Sequence, residues 1–164
     1  MSNIVYKINN SSNIEINDHL LECSDSFTPS LSTYVNINSY STKIFNKSVR
    51  FEAFHEDKLV GLIAMYTNND DKSAFITNVS VYPKFIGTGI GYTLLKNCKL
   101  YINRKQLKKL SLEVMKNNNL AIKFYEKNNF IITKTNKEDY TMELKIERNY
   151  NDEFKILILM LCMG

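Results

Sequence analysis

Three glycines in five residues, Gly87-Thr88-Gly89-Ile90-Gly91, mark the place where this chain is best equipped for chemistry. They stand between a strand pattern that Pro83 closes and a helical pattern that opens at Gly89. Amide N–H groups at a helix start have no intrahelical partner, and the positive end of the helix dipole adds to them, so such a start holds phosphate oxygens. Glycine lets the backbone come close to a ligand because it has no Cβ. The turn therefore reads as a pyrophosphate cradle. A nucleotide P-loop would follow its last glycine with Lys and Ser/Thr, whereas Gly91 is followed by Tyr92-Thr93. A dinucleotide fingerprint needs GxGxxG, and Tyr92 stands where its third glycine belongs. A phosphorylated ligand of another kind and a tight turn that binds nothing both remain open.

Glu113 is the second candidate. Leu110, Leu112 and Val114 share one face of a strand pattern, and Ser111, Glu113 and Met115 share the other. A strand flanked by helices is expected to be covered on both faces, where acids are rare. Proton removal from a nucleophile would account for the acid; a structural or surface carboxylate is the alternative.

The elements that must position these residues follow from periodicity. Strands are expected at Ile4–Ile8, Val49–His55, Leu59–Tyr66, Ala74–Tyr82, Leu110–Met115, Phe130–Thr133 and Tyr140–Ile146. Helices are expected at Asn17–Cys23, Ile37–Phe45, Gly89–Asn103 and Asn118–Asn128, and a loop over Ser24–Ser32. Strand, helix, strand, helix and two strands follow one another in the second half. That order implies an α/β or α+β domain with a partly parallel sheet.

Bulk properties set the limits. The chain has 164 residues, which favours one domain, and a net charge of +4, which suits a phosphate-bearing ligand without requiring nucleic acid. Lys105, Lys108 and Lys109 cluster without interleaved aromatics, so nucleic-acid binding is not expected. Cys23, Cys98 and Cys162 form no metal-ligand spacing, and His19 and His55 stand apart, so no metal site is expected. Cys98 lies on the apolar side of a helical pattern, as a buried thiol would. No secretory signal and no apolar run long enough to span a bilayer are seen, so a reducing, cytoplasmic setting is the expectation.

Two separated motifs carry a family likeness. Val79-Ser80-Val81-Tyr82-Pro83, Gly87-Thr88-Gly89-Ile90-Gly91 and Leu94-Leu95 resemble the acetyl-CoA-binding motif of the GNAT superfamily. Leu112-Glu113-Val114, Asn118, Ala121, Phe124-Tyr125-Glu126-Lys127 and Phe130 resemble its second signature. The likeness covers roughly Phe51 to Ile146. Its pattern is most similar to the N-terminal acetyltransferases that act on a ribosomal protein, in which a strand-five glutamate precedes a tyrosine by twelve positions, as Glu113 precedes Tyr125 here.

The resemblance implies a GNAT acyl-CoA N-acyltransferase fold: a mixed central sheet, splayed between strands four and five and flanked by helices, over residues 1–147. It implies an N-acetyltransferase that moves an acetyl group from acetyl-CoA to a primary amine of a small molecule, amino sugar or protein N-terminus. A non-catalytic acyl-CoA-binding module is the alternative. In the catalytic reading Glu113 is the base, directly or through water, and Tyr125 the acid that protonates the departing thiolate. The backbone of Val79, Ser80 and Val81 would pair with the pantetheine arm, with the Val79 N–H as oxyanion donor. Gly87, Thr88, Gly89, Ile90, Gly91 and Tyr92 would hold the diphosphate, and Asn118 would contact the coenzyme arm. Tyr34, Tyr40 and Asn78 are candidate acceptor-pocket residues. Pro29 to Tyr40 loosely resembles members associated with surface-polysaccharide synthesis.

The chain departs from the family pattern at four places. Ile86 replaces a usual Gln or Arg, Asn78 a common carboxylate, and Asn129 a usual glycine. The apolar extension, residues 148–164, has no counterpart in the motif; it would add a strand or cover a homodimer contact.

Overall fold

A computed structural model describes residues 3–146 of the chain; the apolar extension lies outside the described residues. In chain order the elements are β1 (Val5–Ile8), α1 (Asn13–Cys23), α2 (Ile37–Lys47), β2 (Val49–His55), β3 (Lys58–Asn68), β4 (Ser73–Val81), α3 (Ile90–Arg104), β5 (Lys109–Met115), α4 (Asn119–Lys127), β6 (Ile131–Thr135) and β7 (Asp139–Lys145). Between α1 and α2, where a loop is expected, two short 3-10 turns form at Ser24–Ser26 and Leu31–Thr33. Helix α1 starts earlier than its apolar spacing suggests. Ser12 accepts from the Glu15 N–H while the Glu15 carboxylate accepts from the Ser12 N–H, a reciprocal capping box.

The strands form one seven-stranded sheet in the order β1-β2-β3-β4-β5-β7-β6. Strand β3 explains how it is covered. Ile63 and Met65 join the core under α3 with Leu94, Leu95, Cys98 and Ile102. Leu62 and Ala64, on the other face, join Ile16, Leu20, Ile37 and Ile44 of α1 and α2. A strand buried on both faces must be apolar throughout, which is why Leu59 to Met65 reads as a continuous run. Cys98 is fully buried, as expected, and burial pushes its thiol up to about 12.

One join in the sheet is parallel. Strands β4 and β5 pair from Ser73 opposite Lys109 to Ile76 opposite Leu112, and their pairing stops there. Beyond it β4 stays with β3 as far as Val81 opposite Gly61, and β5 stays with β7 as far as Met115 opposite Asp139. The β3–β4 register slips at the same level: Met65 faces Ile76, Ala64 faces Asn78, and Thr77 is the extra residue. Such a bulge bends the strand that carries it. Tyr40 of α2 donates its hydroxyl hydrogen to the Thr77 carbonyl at 2.6 Å, which satisfies the bulged residue. The splay expected between strands four and five is thus present, with a bulge at its apex.

Two buried polar groupings fasten the helices of the first half to the sheet. The Glu52 carboxylate, with no exposed surface, accepts from the Asn10 and Ser11 N–H groups, the Ser11 hydroxyl and Arg50 Nε. Arg50 also donates to the Phe45 carbonyl at 2.9 Å. Buried charges of this kind persist because each is both paired and hydrogen-bonded. The second grouping centres on His19 of α1, which is 1% exposed. Its ring contacts the Leu59 carbonyl through Nδ1 at 3.1 Å and the Ser80 hydroxyl through Nε2 at 2.8 Å. It stacks on Tyr82 with centroids 5.2 Å apart.

Burial holds His19 neutral, with its pKa lowered from 6.5 to about 4. The unfolded chain therefore binds the extra proton first as pH falls. Stability from this group is complete above pH 6.5 and is lost towards pH 4, by about 3 kcal/mol in all. An NMR titration of the His19 ring resonances checks this. A midpoint near 4 is expected, and one near 6.5 would contradict it.

Candidate active site

The gap left by the splay is a cavity of about 570 Å³. Its walls come from the C-terminal end of α1 and the loop after it, from Ile76 to Val81 of β4, from the glycine turn, from Leu112 to Met115 of β5, and from α4. Among the residues singled out in the sequence, Val79, Ser80, Val81, Gly87, Gly89, Gly91, Tyr92, Glu113, Asn118 and Tyr125 all line it. Two do not. Ile90 is 2% exposed and packs into the core under α3. Thr88 is exposed and turns its hydroxyl back to the Phe85 carbonyl at 2.6 Å. For Ile90 only the main chain is available to a ligand.

The exposed backbone of β4 has a definite polarity. The Tyr82 N–H bonds the Val60 carbonyl at 2.8 Å, on the β3 side. Backbone groups alternate sides along a strand, so Ser80 also faces β3, and Val79 and Val81 face the open edge. Since pairing with β5 ended at Ile76, those groups border the cavity without a strand partner.

At the next bend lies the glycine turn. Gly87 and Gly89 have φ of +83° and +89°, a region that L side chains rarely adopt, and a Cβ on either would meet nothing within 4 Å. No side chain caps α3, and its first ladder bond runs from Thr93 N–H to the Gly89 carbonyl. The amides of Ile90, Gly91 and Tyr92 therefore precede the ladder and lie at the positive end of a 15-residue helix. Open space over uncapped amides is what a bound diphosphate requires. The helix start is seated from below by Gly61 of β3, where a Cβ would stand 2.7 Å from Ile90 Cγ2.

Tyr125 and Glu113 face each other's elements across the cavity and differ in setting. Tyr125 is 7% exposed and wedged between Phe124 and Phe130, with centroids 5.4 and 5.6 Å away. Burial raises its phenol well above the usual tyrosine range, so the hydroxyl keeps its proton at every physiological pH. Glu113 is exposed and sits opposite Thr141 of β7. The expectation of a strand covered on both faces therefore does not hold at this residue: no β5 residue joins the core under α1 and α2. Asn118 caps α4 by accepting from the Ala121 N–H at 3.1 Å.

A second cavity of about 420 Å³ shares Phe27, Tyr34, Ile76, Thr77, Glu113, Val114 and Met115 with the first. It adds Tyr40, Phe75, Glu138 and Asp139, and no lysine or arginine lines it. Of the acceptor-pocket candidates, Tyr34 borders both cavities, Asn78 the first and Tyr40 the second. Cys23, Phe27 and Phe85 line the main cavity without having carried any functional signal in the sequence, and Phe124 of the second motif lines it too. The first three are apolar residues whose only cue is position in space. Among the described residues no group of three or more His, Cys, Asp or Glu could hold a metal ion, and no helix is long and apolar enough to cross a membrane.

Comparison with known proteins agrees with this geometry. The model of the acetyltransferase (GNAT) family matches residues 15–130. No curated protein matches the chain in sequence. Solved structures match its fold. The PaiA N-acetyltransferase from Thermoplasma acidophilum, in complex with coenzyme A, superposes with a TM-score of 0.69 at 19% identity, over 87% of this chain and 99% of its own. The ribosomal-protein-S18-alanine N-acetyltransferase from Escherichia coli gives 0.70 at 18% identity, over 90% and 96%. An N-acetyltransferase from Staphylococcus aureus Mu50 gives 0.70 at 18% identity, over 89% and 100%.

The close approach at Gly61 is open to test. Gly61→Ala is expected to cost about 1–3 kcal/mol by overpacking. Ile90→Ala, which removes the opposing methyl, is expected to relieve part of that cost. Urea unfolding of both single variants and the double variant checks this; additive effects would show that the helix start does not rest on β3.

Proposed function

The chain belongs to the acetyltransferase (GNAT) family, and from that premise we propose that it is an N-acetyltransferase moving an acetyl group from acetyl-CoA to a primary amine. The observation that carries the reading is the splay: an unpartnered β4 edge at Val79 and Val81 running into an uncapped helix start, with Tyr125 on one wall and Glu113 on another. The amides of residues 87–92 would hold the diphosphate, and the β4 edge would take the pantetheine arm as an added strand. Acetyl-CoA supplies a thioester. Asn118 would stand beside the arm at the start of α4.

The residues divide the work by their settings. Glu113, exposed to both cavities, takes a proton from the incoming ammonium, directly or through water. The freed amine attacks the carbonyl carbon, and the Val79 N–H, fixed in the sheet, donates to the oxygen as negative charge gathers on it. The carbon–sulfur bond then breaks, and Tyr125 gives its proton to the departing sulfur. A thiol titrates near 8.5 and a phenol near 10, so the transfer to a thiolate needs no acidic tyrosine.

The acceptor would enter through the second cavity. Glu113, Glu138 and Asp139 at its rim, with Phe27, Tyr34, Tyr40 and Phe75 beside them, suit an ammonium group carried on an apolar or extended stem. One observation favours the non-catalytic alternative, a module that binds acyl-CoA without turnover: Asn78 stands where family members commonly carry a carboxylate.

Turnover of amines by the unmodified protein decides between the two, and the mechanism is then tested by Tyr125→Phe. It is expected to lower turnover at least ten-fold, since acid assistance is worth roughly 10² to 10⁴, with coenzyme affinity almost unchanged. Steady-state rates across a panel of amines, paired with calorimetry for acetyl-CoA, check this. Tight binding without turnover of any amine in the unmodified protein would favour the module. Unchanged turnover in the variant would remove Tyr125 from the mechanism.

A further inference from the structure

Helix α4 carries Tyr125 and has little else to hold it. Of its nine residues only Tyr125 is buried. Phe124 rests on the start of α3, with its Cζ 3.7 Å from where a Cβ on Gly91 would stand. The rest depends on how the chain leaves the helix. The Asn129 N–H bonds the Glu126 carbonyl at 3.0 Å, and the Phe130 N–H bonds the Tyr125 carbonyl at 3.1 Å. Asn129 is left-handed, with φ of +69°. Together these make a Schellman closure, and Tyr125 is the residue whose carbonyl it captures. The apolar contact that accompanies such a closure is Phe130 against the Tyr125 ring, with centroids 5.6 Å apart.

Glycine takes up a left-handed φ freely, and asparagine does so less readily. With Asn at position 129 the closure is weaker than a glycine would make it, and two side chains supplement it. Asn128, 8% exposed, donates its amide to the Phe124 carbonyl at 2.8 Å. Lys99 reaches across from α3 and donates Nζ to the Asn128 carbonyl, also at 2.8 Å. The last carbonyls of a helix lack ladder donors, and the negative end of its dipole favours a cation there. Lys99 Nζ lies 5.9 Å from the centre of the Phe130 ring as well, within reach of a cation–π contact. Desolvation lowers the pKa of Lys99, which is the cost of drawing a cation into this position. Lys99 lines neither cavity of the site, so whatever it contributes it contributes through α4.

We propose that Lys99 is a positioning residue, whose bond to the Asn128 carbonyl fastens the end of α4 to α3 and so holds the Tyr125 hydroxyl where the departing sulfur will be. This rests on the acetyl-transfer function proposed above. In that reading α3 supplies amides to the diphosphate and α4 supplies the acid. The Lys99 bond joins the two helices, so the point that grips the coenzyme and the point that protonates its sulfur keep one spacing. Loss of the tie leaves the amides of α3 and the edge of β4 as they were. Its effect falls on proton transfer, where a misplacement of about 1 Å can cost about 10²-fold in rate.

Lys99→Met keeps an unbranched stem and removes the donor. With an amine that the unmodified enzyme acetylates, it is expected to lower kcat roughly ten-fold and to leave the acetyl-CoA Kd unchanged. Lys99→Arg keeps a cationic donor and should recover most of the kcat. In a Tyr125→Phe background, Lys99→Met should change kcat by less than about two-fold, because the acid it positions is already gone. Unchanged kcat in the single variant, or a further ten-fold fall in the Tyr125→Phe background, would overturn the proposal. The tie itself is tested without substrate by amide hydrogen exchange in the full chain. The Phe130 amide should exchange faster in Lys99→Met while the amides of β3 keep their protection. Equal exchange at Phe130 would overturn the proposal, and so would loss of protection in β3, which would make Lys99 a support of the whole fold. Failure of the unmodified protein to acetylate any amine would instead refute the underlying function, and the exchange measurement would still decide the tie.

Discussion

Everything in this molecule that bears on function follows from one interrupted interaction, the parallel pairing of β4 with β5. It lasts from Ser73 to Ile76 and then ceases. A strand edge left unpaired inside a protein is normally a defect, since buried N–H and C=O groups need partners. Here the unpaired stretch is bordered by a cavity, and the groups at Val79 and Val81 are available to a ligand that can act as a strand. The bulge at Thr77 and the Tyr40 hydrogen bond set where the divergence begins. The small residue at Gly61 lets α3 lie directly on β3, so that its amides meet the end of the same edge.

The proposed chemistry draws on the contrast between neighbouring environments. Tyr125 is packed among aromatic rings and stays protonated. Glu113, on the face of β5 that the first-half helices leave uncovered, is exposed. The end of the β4–β5 pairing opens the groove and frees the backbone groups along it. The first-half helices contribute differently. They anchor to the sheet through Arg50–Glu52 and through His19, and the second anchor reaches Ser80 and Asn78 on the cavity wall.

Much of this was legible in the sequence, for physical reasons. The strands and helices of the second half follow from clear periodicity, and Gly87-Thr88-Gly89-Ile90-Gly91 declares a turn that only glycine can make at Gly87 and Gly89. The N-terminus of α1 was missed: apolar spacing put the start at Asn17, whereas the capping box of Ser12 and Glu15 begins the helix at Asn13. Other features depend on tertiary contacts and leave no local trace. His19 looks like an isolated histidine until α1 lies against β3 and β4. Ile90 belongs to the glycine motif, yet its side chain goes to the core because the helix turns it toward Gly61. The exposure of Glu113 could not be foreseen from alternation alone, because alternation says which face a residue takes and nothing about whether a helix covers that face.

The central claim is that the diverging strands accept a thioester in the gap with its diphosphate on the main-chain amides beyond Pro83. A crystal structure of the protein with acetyl-CoA tests it most directly. The account predicts a pantetheine arm hydrogen-bonded to Val79 and Val81, phosphate oxygens on the amides of residues 87–92, and the sulfur within reach of Tyr125. Coenzyme bound elsewhere on the surface, or crystals and calorimetry that show no coenzyme binding at all, would contradict it.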